Sequence, residues 1–180
     1  MARDESKLIV VLGGARAGKS SFALRLAKQQ ANRVCFIATA QALDDDMTRR
    51  IARHREERPP HWTTIEEPYQ LDDALRQAVE SELVIVDCLT LFVSNWMLRL
   101  EDEDRGEEAI QNISETFLAR RRAQRQTVIC VSNEVGLGII PETRLGRTFR
   151  DLLGRVNQQF AGAADEVYLL TAGLPLQLKP

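Results

Sequence analysis

The sequence has only three cysteines, Cys35, Cys88 and Cys130, and no two are spaced as a metal-binding pair. Each lies in or beside an apolar run ("RVCFIA", "VIVDCL", "TVICVS"), which predicts buried thiols in a reducing compartment rather than zinc or redox chemistry. Charge of one sign is lacking too: 24 Lys and Arg stand against 26 Asp and Glu. That balance supplies no general field for nucleic acid or an acidic membrane, and neither is expected as a partner. Long hydrophobic runs are missing. The polar start "MARDESK" is followed by about six apolar residues before Gly13, too few for a signal-peptide core or a membrane span, so a cytoplasmic location without membrane insertion is expected. Neither "NWML" at Asn95 nor "NEVG" at Asn133 supplies the Asn-Lys-x-Asp segment that reads guanine in switch GTPases, and "DLLG" at Asp151 sits in a helical stretch.

What is present suits one compact domain over residues 1–180, with 44% hydrophobic residues to fill its core. Short runs rich in Val and Ile recur as "KLIVVL", "RVCFIA", "ELVIVD", "TVICVS" and "EVYLLT", all but the last followed by helical patterning. Because the runs are continuous rather than alternating, they predict an α/β fold whose parallel strands are buried on both faces. The segment from Glu107 to Gln124 places Ile110, Ile113 and Phe117 on one helical face and ends in the basic "ARRRAQR", expected as a solvated end that complements the helix dipole. The acidic "EDEDRGEE" before it is expected to be an exposed loop.

"GGARAGKS" fits the phosphate-loop pattern of Gly13, four residues, then Gly18-Lys19-Ser20, and it lies between a strand and a helix as that pattern requires. Glycines give the loop its dihedral freedom, so that successive N–H groups and the positive helix end converge on phosphates. Gly13, Gly14, Ala15, Arg16, Ala17, Gly18, Lys19 and Ser20 are therefore candidate nucleotide ligands. Lys19 is expected to reach the β and γ phosphates. Ser20 and Asp87, the latter at the end of "ELVIVD", are the candidate Mg2+ ligands.

Within "ALDDDMTRRIARHREERPPHW", Leu43, Met47, Ile51, His54 and Arg58 recur at helical spacing, with Arg50 close by. Asp44 to Asp46 suit the helix's first turn, and Pro59 and Pro60 suit its end. His54 thus falls on an inward face, either as a hydrogen-bonded core residue or, beside a phosphate loop, as a nucleophile. Imidazole attacking an α phosphate would expel pyrophosphate and leave a phosphoramidate, with flanking arginines neutralising the oxygens. His61, beyond the prolines, reads as structural.

Together with "VDCLT" and "VSNEVGLGIIPETRLGRTFRDLLGRVNQQFAGAADEVYLL", these motifs resemble the bifunctional adenosylcobinamide kinase / adenosylcobinamide-phosphate guanylyltransferase family, over about Leu8 to Leu170. The resemblance implies a RecA-like phosphate-loop (P-loop NTPase) domain, mostly parallel, assembled as a homotrimer. It implies that ATP or GTP phosphorylates adenosylcobinamide, and that GMP then passes from GTP through a histidine to adenosylcobinamide phosphate. The matching histidine is His54, with Arg53 where relatives can carry a second one. By the same matching Ala38, Thr39, Arg55, Glu56, Glu57, Arg58 and Glu66 approach the nucleotide. Ala17 departs from the serine that relatives commonly have, with little effect expected because backbone N–H groups form the cradle. "NEVGLGIIP" is open between sensing phosphate, forming the corrinoid side, and a buried turn. The rival readings are a plain small-molecule kinase without a covalent intermediate and a nucleotide-binding assembly module.

Overall fold

The structure, a computed structural model, describes residues 6–99, 103–124 and 126–180. In chain order the elements are β1 (Leu8–Gly13), α1 (Lys19–Gln30), β2 (Val34–Ala38), α2 (Asp45–Glu56), β3 (Thr63–Glu66), α3 (Leu71–Gln77) and β4 (Leu83–Asp87). They continue with α4 (Leu89–Arg99), α5 (Glu103–Gln124), β5 (Thr127–Val131), α6 (Arg144–Ala163), β6 (Glu166–Thr171) and β7 (Leu174–Lys179).

The strands form one sheet in the order β3-β2-β4-β5-β1-β6-β7. All neighbours run parallel except the last pair, β6 and β7. The five Val- and Ile-rich runs are the five inner strands, and their side chains divide by the period of two. Leu8, Val10 and Leu12 enter a core beneath α3 to α6, while Ile9 and Val11 enter a second core beneath α1. Both faces are covered, which is why these runs are apolar without alternation.

The two strands that the apolar pattern leaves out are the edges. β3 reads "TTIE" with no buried residue, and β7 reads "LPLQLK" with five of its six residues exposed. An edge strand has no second neighbour to bury it and tolerates a proline such as Pro175. β6 and β7 are joined by Ala172 and Gly173, both at positive φ (52° and 82°), the geometry of a two-residue hairpin turn.

Two expectations are corrected here. The acidic segment is helical from Glu103 onward, residues 101–102 lying outside the described residues; acidic side chains favour a helix's first turn, and glutamate propagates it. Nor is the basic end of α5 simply solvated. Arg121 is buried and donates to the Ser6 carbonyl at 2.7 Å and to Asp165 at 3.0 Å, and Arg120 pairs with Asp72 on α3. These arginines tie α5 to its neighbours. Arg125 lies outside the described residues.

Gly13 ends β1 at φ 147°, and a Cβ there would sit 2.5 Å from the backbone oxygen of Leu170 on β6. Substituting alanine is expected to cost roughly 2–6 kcal/mol, combining overpacking with a φ that L residues rarely adopt. Gly14, with nothing within 4 Å of its virtual Cβ, is the control. Urea unfolding of both alanine variants checks this; a Gly13→Ala midpoint equal to that of Gly14→Ala would mean the β1–β6 contact yields.

Candidate active site

The carboxyl ends of β1, β2, β4 and β5 open onto one edge of the sheet, where ligands collect in open α/β folds. The first βα connection is the phosphate loop. Gly18 at φ 91° caps α1, and the N–H of Gly173 in the β6–β7 turn donates to the Ala17 carbonyl at 3.1 Å, bracing the loop from outside. Lys19 is buried, and its Nζ donates to Gly14 O at 2.7 Å. Burial holds its pKa below the ordinary lysine value; Cys88 and Asp87 oppose that shift and Arg50 adds to it.

Asp44 caps α2, its carboxylate accepting from Met47 N at 2.7 Å, and the chain turns at Pro59 and Pro60 as the sequence predicts. The inward stripe, however, does not enter the core: no residue of α2 is buried. Met47, Ile51 and His54 line an open cavity, and Leu43 stands before the helix, exposed. A cavity wall and a core wall carry the same apolar period, so spacing alone does not separate them.

Two adjoining cavities occupy this edge. One, of about 540 Å3, is lined by the phosphate loop from Ala15 to Ser20, by the α2 arginines Arg49, Arg50 and Arg53, and by Asn133 after β5. The other, of about 460 Å3, is lined by Phe36, Ala38, Gln41, Met47, Ile51, Leu91, Arg58 and Glu66. Ser20, Arg50, His54, Asp87 and Cys88 belong to both. The first carries more basic than acidic side chains and can accept anions; the second is mostly apolar, with the carboxylates of Glu66 and Asp87 and the amide of Gln41 among its walls, a lining that can take a flat heterocycle.

His54 stands where the two meet. Its Nδ1 lies 3.7 Å from the Glu57 carboxylate one helical turn on. Arg58 stacks on the Phe36 ring at 3.5 Å and donates to Thr64 Oγ1, while its buried Nε has no hydrogen-bond partner among the described residues. Burial lowers its pKa, with Asp87 the first of the opposing charges.

Of the other residues matched to the nucleotide, Thr39 is fully buried. Its hydroxyl accepts from Cys88 N at 2.7 Å and donates to Cys88 O at 2.8 Å. It joins the tips of β2 and β4. Gly13 and Gly14 form the loop's backbone, whereas Arg55 and Glu56 are exposed and outside both cavities, as is Glu57 except through its pairing with His54. Gly136 to Ile140 in "NEVGLGIIP" are exposed, so this segment is not a buried turn. His61 is exposed.

The sequence reading missed Asn95, whose Nδ2 donates to Thr39 O at 2.8 Å and Pro68 O at 3.1 Å from within α4, fixing the cavity's floor. Its signal was an amide within a helix most of whose residues are apolar. The cysteines are buried as expected; burial and then Asp87 push Cys88 up to about 11, so a thiol rather than a thiolate faces the site.

Ser20 and Asp87 bring a hydroxyl and a carboxylate to both cavities, and among the described residues no cluster of three or more His, Cys, Asp or Glu forms a metal cage. Hard oxygen donors in that small number fit Mg2+, which takes its remaining ligands from water and phosphate.

Comparison with known proteins adds three findings. The family model of cobinamide kinase / cobinamide phosphate guanyltransferase matches residues 9–178. The bifunctional adenosylcobalamin biosynthesis proteins CobU of Escherichia coli and CobP of Pseudomonas aeruginosa are 41% and 43% identical, covering 96% and 94% of this chain and 99% and 96% of their own. Among solved structures, a KaiC-like protein from Pyrococcus horikoshii superposes with a TM-score of 0.51 over 92% of this chain and 71% of its own at 17% identity, a likeness of RecA-like fold alone.

Proposed function

The chain belongs to the cobinamide kinase / cobinamide phosphate guanyltransferase family, and we propose that both transfers use its single phosphate loop, with His54 carrying GMP between them. As a member it is an enzyme of cobalamin biosynthesis with kinase and guanylyltransferase activities.

In the kinase step the hydroxyl of adenosylcobinamide's aminopropanol arm attacks the γ phosphorus of ATP or GTP. The phosphate loop holds the donor, Lys19 leaves Gly14 O to meet the β and γ oxygens, and the nucleoside diphosphate departs. Ser20 and Asp87 would hold Mg2+, which supplies charge neutralisation on the phosphates.

In the second step an imidazole nitrogen of His54 attacks the α phosphorus of GTP. A P–N bond forms, the bond to the bridging oxygen breaks, and pyrophosphate leaves. The Glu57 carboxylate, 3.7 Å from Nδ1, offsets the positive charge that the ring acquires as the P–N bond forms. Arg50 and Arg53 neutralise the oxygens. A phosphate oxygen of adenosylcobinamide phosphate then displaces His54, giving adenosylcobinamide-GDP and restoring the enzyme. The apolar cavity takes the base, with Glu66 as acceptor for its N–H groups.

One observation carries this reading: His54 lines both the phosphate cavity and the apolar cavity, beside Ser20 and Asp87. No helix among the described residues is long and apolar enough to cross a membrane. The exposed leucines 174, 176 and 178 on the free edge of β7 support assembly into a homotrimer that covers them.

The test is incubation with Mg2+ and GTP labelled at either the α or the γ phosphate, followed by denaturing electrophoresis. Label from the α position that is stable to base and lost in acid is the expected result. A folded, GTP-binding protein that takes up no α label would refute the covalent step.

A further inference from the structure

The second residue after β5, Asn133, is held from several sides for a loop position. Asn133 donates its N–H to Thr90 Oγ1 on α4 at 2.7 Å, and its carbonyl accepts from Asn157 Nδ2 on α6 at 3.0 Å. Its two chain neighbours are bonded to the phosphate-loop strand: Ser132 N–H donates to Val11 O and Glu134 N–H to Gly13 O, both at 3.0 Å. The backbone of Asn133 is thus fixed from three elements, yet among the described residues its carboxamide has no hydrogen-bond partner, and the residue lines the phosphate cavity with Lys19, Ser20 and Asp87. The neighbouring carboxylate makes a local turn contact, Glu134 Oε1 accepting from Gly136 N at 2.6 Å.

Strand order places Asn133 on the side of the cavity nearer the phosphate loop. β5 lies between β1, which delivers Lys19, and β4, which delivers Asp87, so its tip stands between the groups that grip the end of a triphosphate. α2, which bears His54, leaves the sheet from β2, on the far side of β4.

We propose that Asn133 is a catalytic residue of the kinase step alone, its Nδ2–H donating to an oxygen of the γ-phosphoryl group in flight. The inference rests on the loop holding the nucleotide as described above, but not on the covalent histidine. When the γ phosphoryl moves, the charge on its oxygens redistributes and a fixed donor stabilises the transition state. When His54 takes GMP, the γ oxygens belong to departing pyrophosphate and the bond that breaks is one phosphate further away. There Asn133 binds ground and transition states alike, which alters KM but not kcat.

The experiment compares wild type, Asn133→Ala and Asn133→Asp in two assays at saturating nucleotide: phosphorylation of adenosylcobinamide by ATP, and transfer of GMP from GTP to adenosylcobinamide phosphate supplied ready-made. Asn133→Ala is expected to lower kinase kcat roughly 100-fold, the size of losing one fixed donor. GMP transfer is expected to keep its kcat within about threefold. Asn133→Asp has the same shape, so it serves if the alanine variant folds poorly, and its negative charge should depress the kinase further while raising the KM for ATP. A kinase kcat within about threefold of wild type, or equal losses in both transfers, overturns the proposal. An absence of protein-bound GMP in the wild type would sink the histidine reading while leaving the kinase comparison intact.

Discussion

Replacing Lys19 by methionine is expected to lower both transfers by roughly 10²–10³-fold, the loss of a charge aimed at the phosphates in a dry site, while leaving the protein at least as stable as before. The two effects share one cause. Lys19 is only 8% exposed, and among the described residues its ammonium has one hydrogen-bond partner, the Gly14 carbonyl. Burial is the largest influence on it and pulls its pKa down from 10.5, with Arg50 acting in the same sense and Cys88 and Asp87 against. The folded protein therefore holds that proton less firmly than the unfolded chain. The penalty is complete at pH values well below the folded-state pKa and fades as pH rises through it. Near neutral pH the lysine is a cost to the fold, retained for the phosphates it will meet. Methionine matches its length and carries no charge, so thermal unfolding near neutral pH should show a midpoint equal to or above wild type, with any advantage shrinking toward about pH 10. A variant that retains a tenth of either activity would show that the backbone cradle suffices. One that unfolds early would show that the Gly14 bond outweighs the burial.

Legibility in the sequence followed burial and local chemistry. The five inner strands were readable because covering a parallel sheet on both faces demands continuous Val and Ile, as in "LIVVLG" and "LVIVD". β3 and β7 were not, since an edge strand needs no continuous Val and Ile run; β3 is "TTIE", and the alternating leucines of β7 are interrupted by Pro175. The phosphate loop and the ends of α2 were legible because each depends on residues close in sequence: Gly-Lys-Ser for the first, Asp44 and Pro59-Pro60 for the second. What could not be read was anything joining distant segments. Thr39 bridging to Cys88, Asn95 reaching Thr39 and Pro68, and Asn133 pinned by Thr90 and Asn157 exist only once β2, β4 and β5 lie side by side. The face of α2 was read as inward, with core and phosphate site left open for His54. It faces a cavity, and the difference lies in what is absent opposite it rather than in its own residues.

Replacing His54 by alanine is expected to separate the two activities. GMP transfer should fall by roughly 10⁴-fold or more, the scale on which loss of a covalent nucleophile is felt. Phosphorylation of adenosylcobinamide should stay within about threefold of wild type, because the γ-phosphoryl transfer makes no use of the imidazole. The fold offers little reason for a general loss. No residue of α2 is buried, and His54 is 26% exposed, the Glu57 carboxylate at 3.7 Å being the one acidic group within salt-bridge distance of it among the described residues, a contact of the kind that contributes at most about 1 kcal/mol at a surface. Supplied with adenosylcobinamide and GTP, the variant should therefore stop at adenosylcobinamide phosphate, which accumulates in proportion to nucleoside diphosphate formed, with no pyrophosphate released. The outcome against this reading is also definite. If both activities fall together, His54 serves the shape of the shared cavity or the binding of any nucleotide, since a group needed only at the α phosphorus has no route by which to slow a reaction at the γ phosphorus.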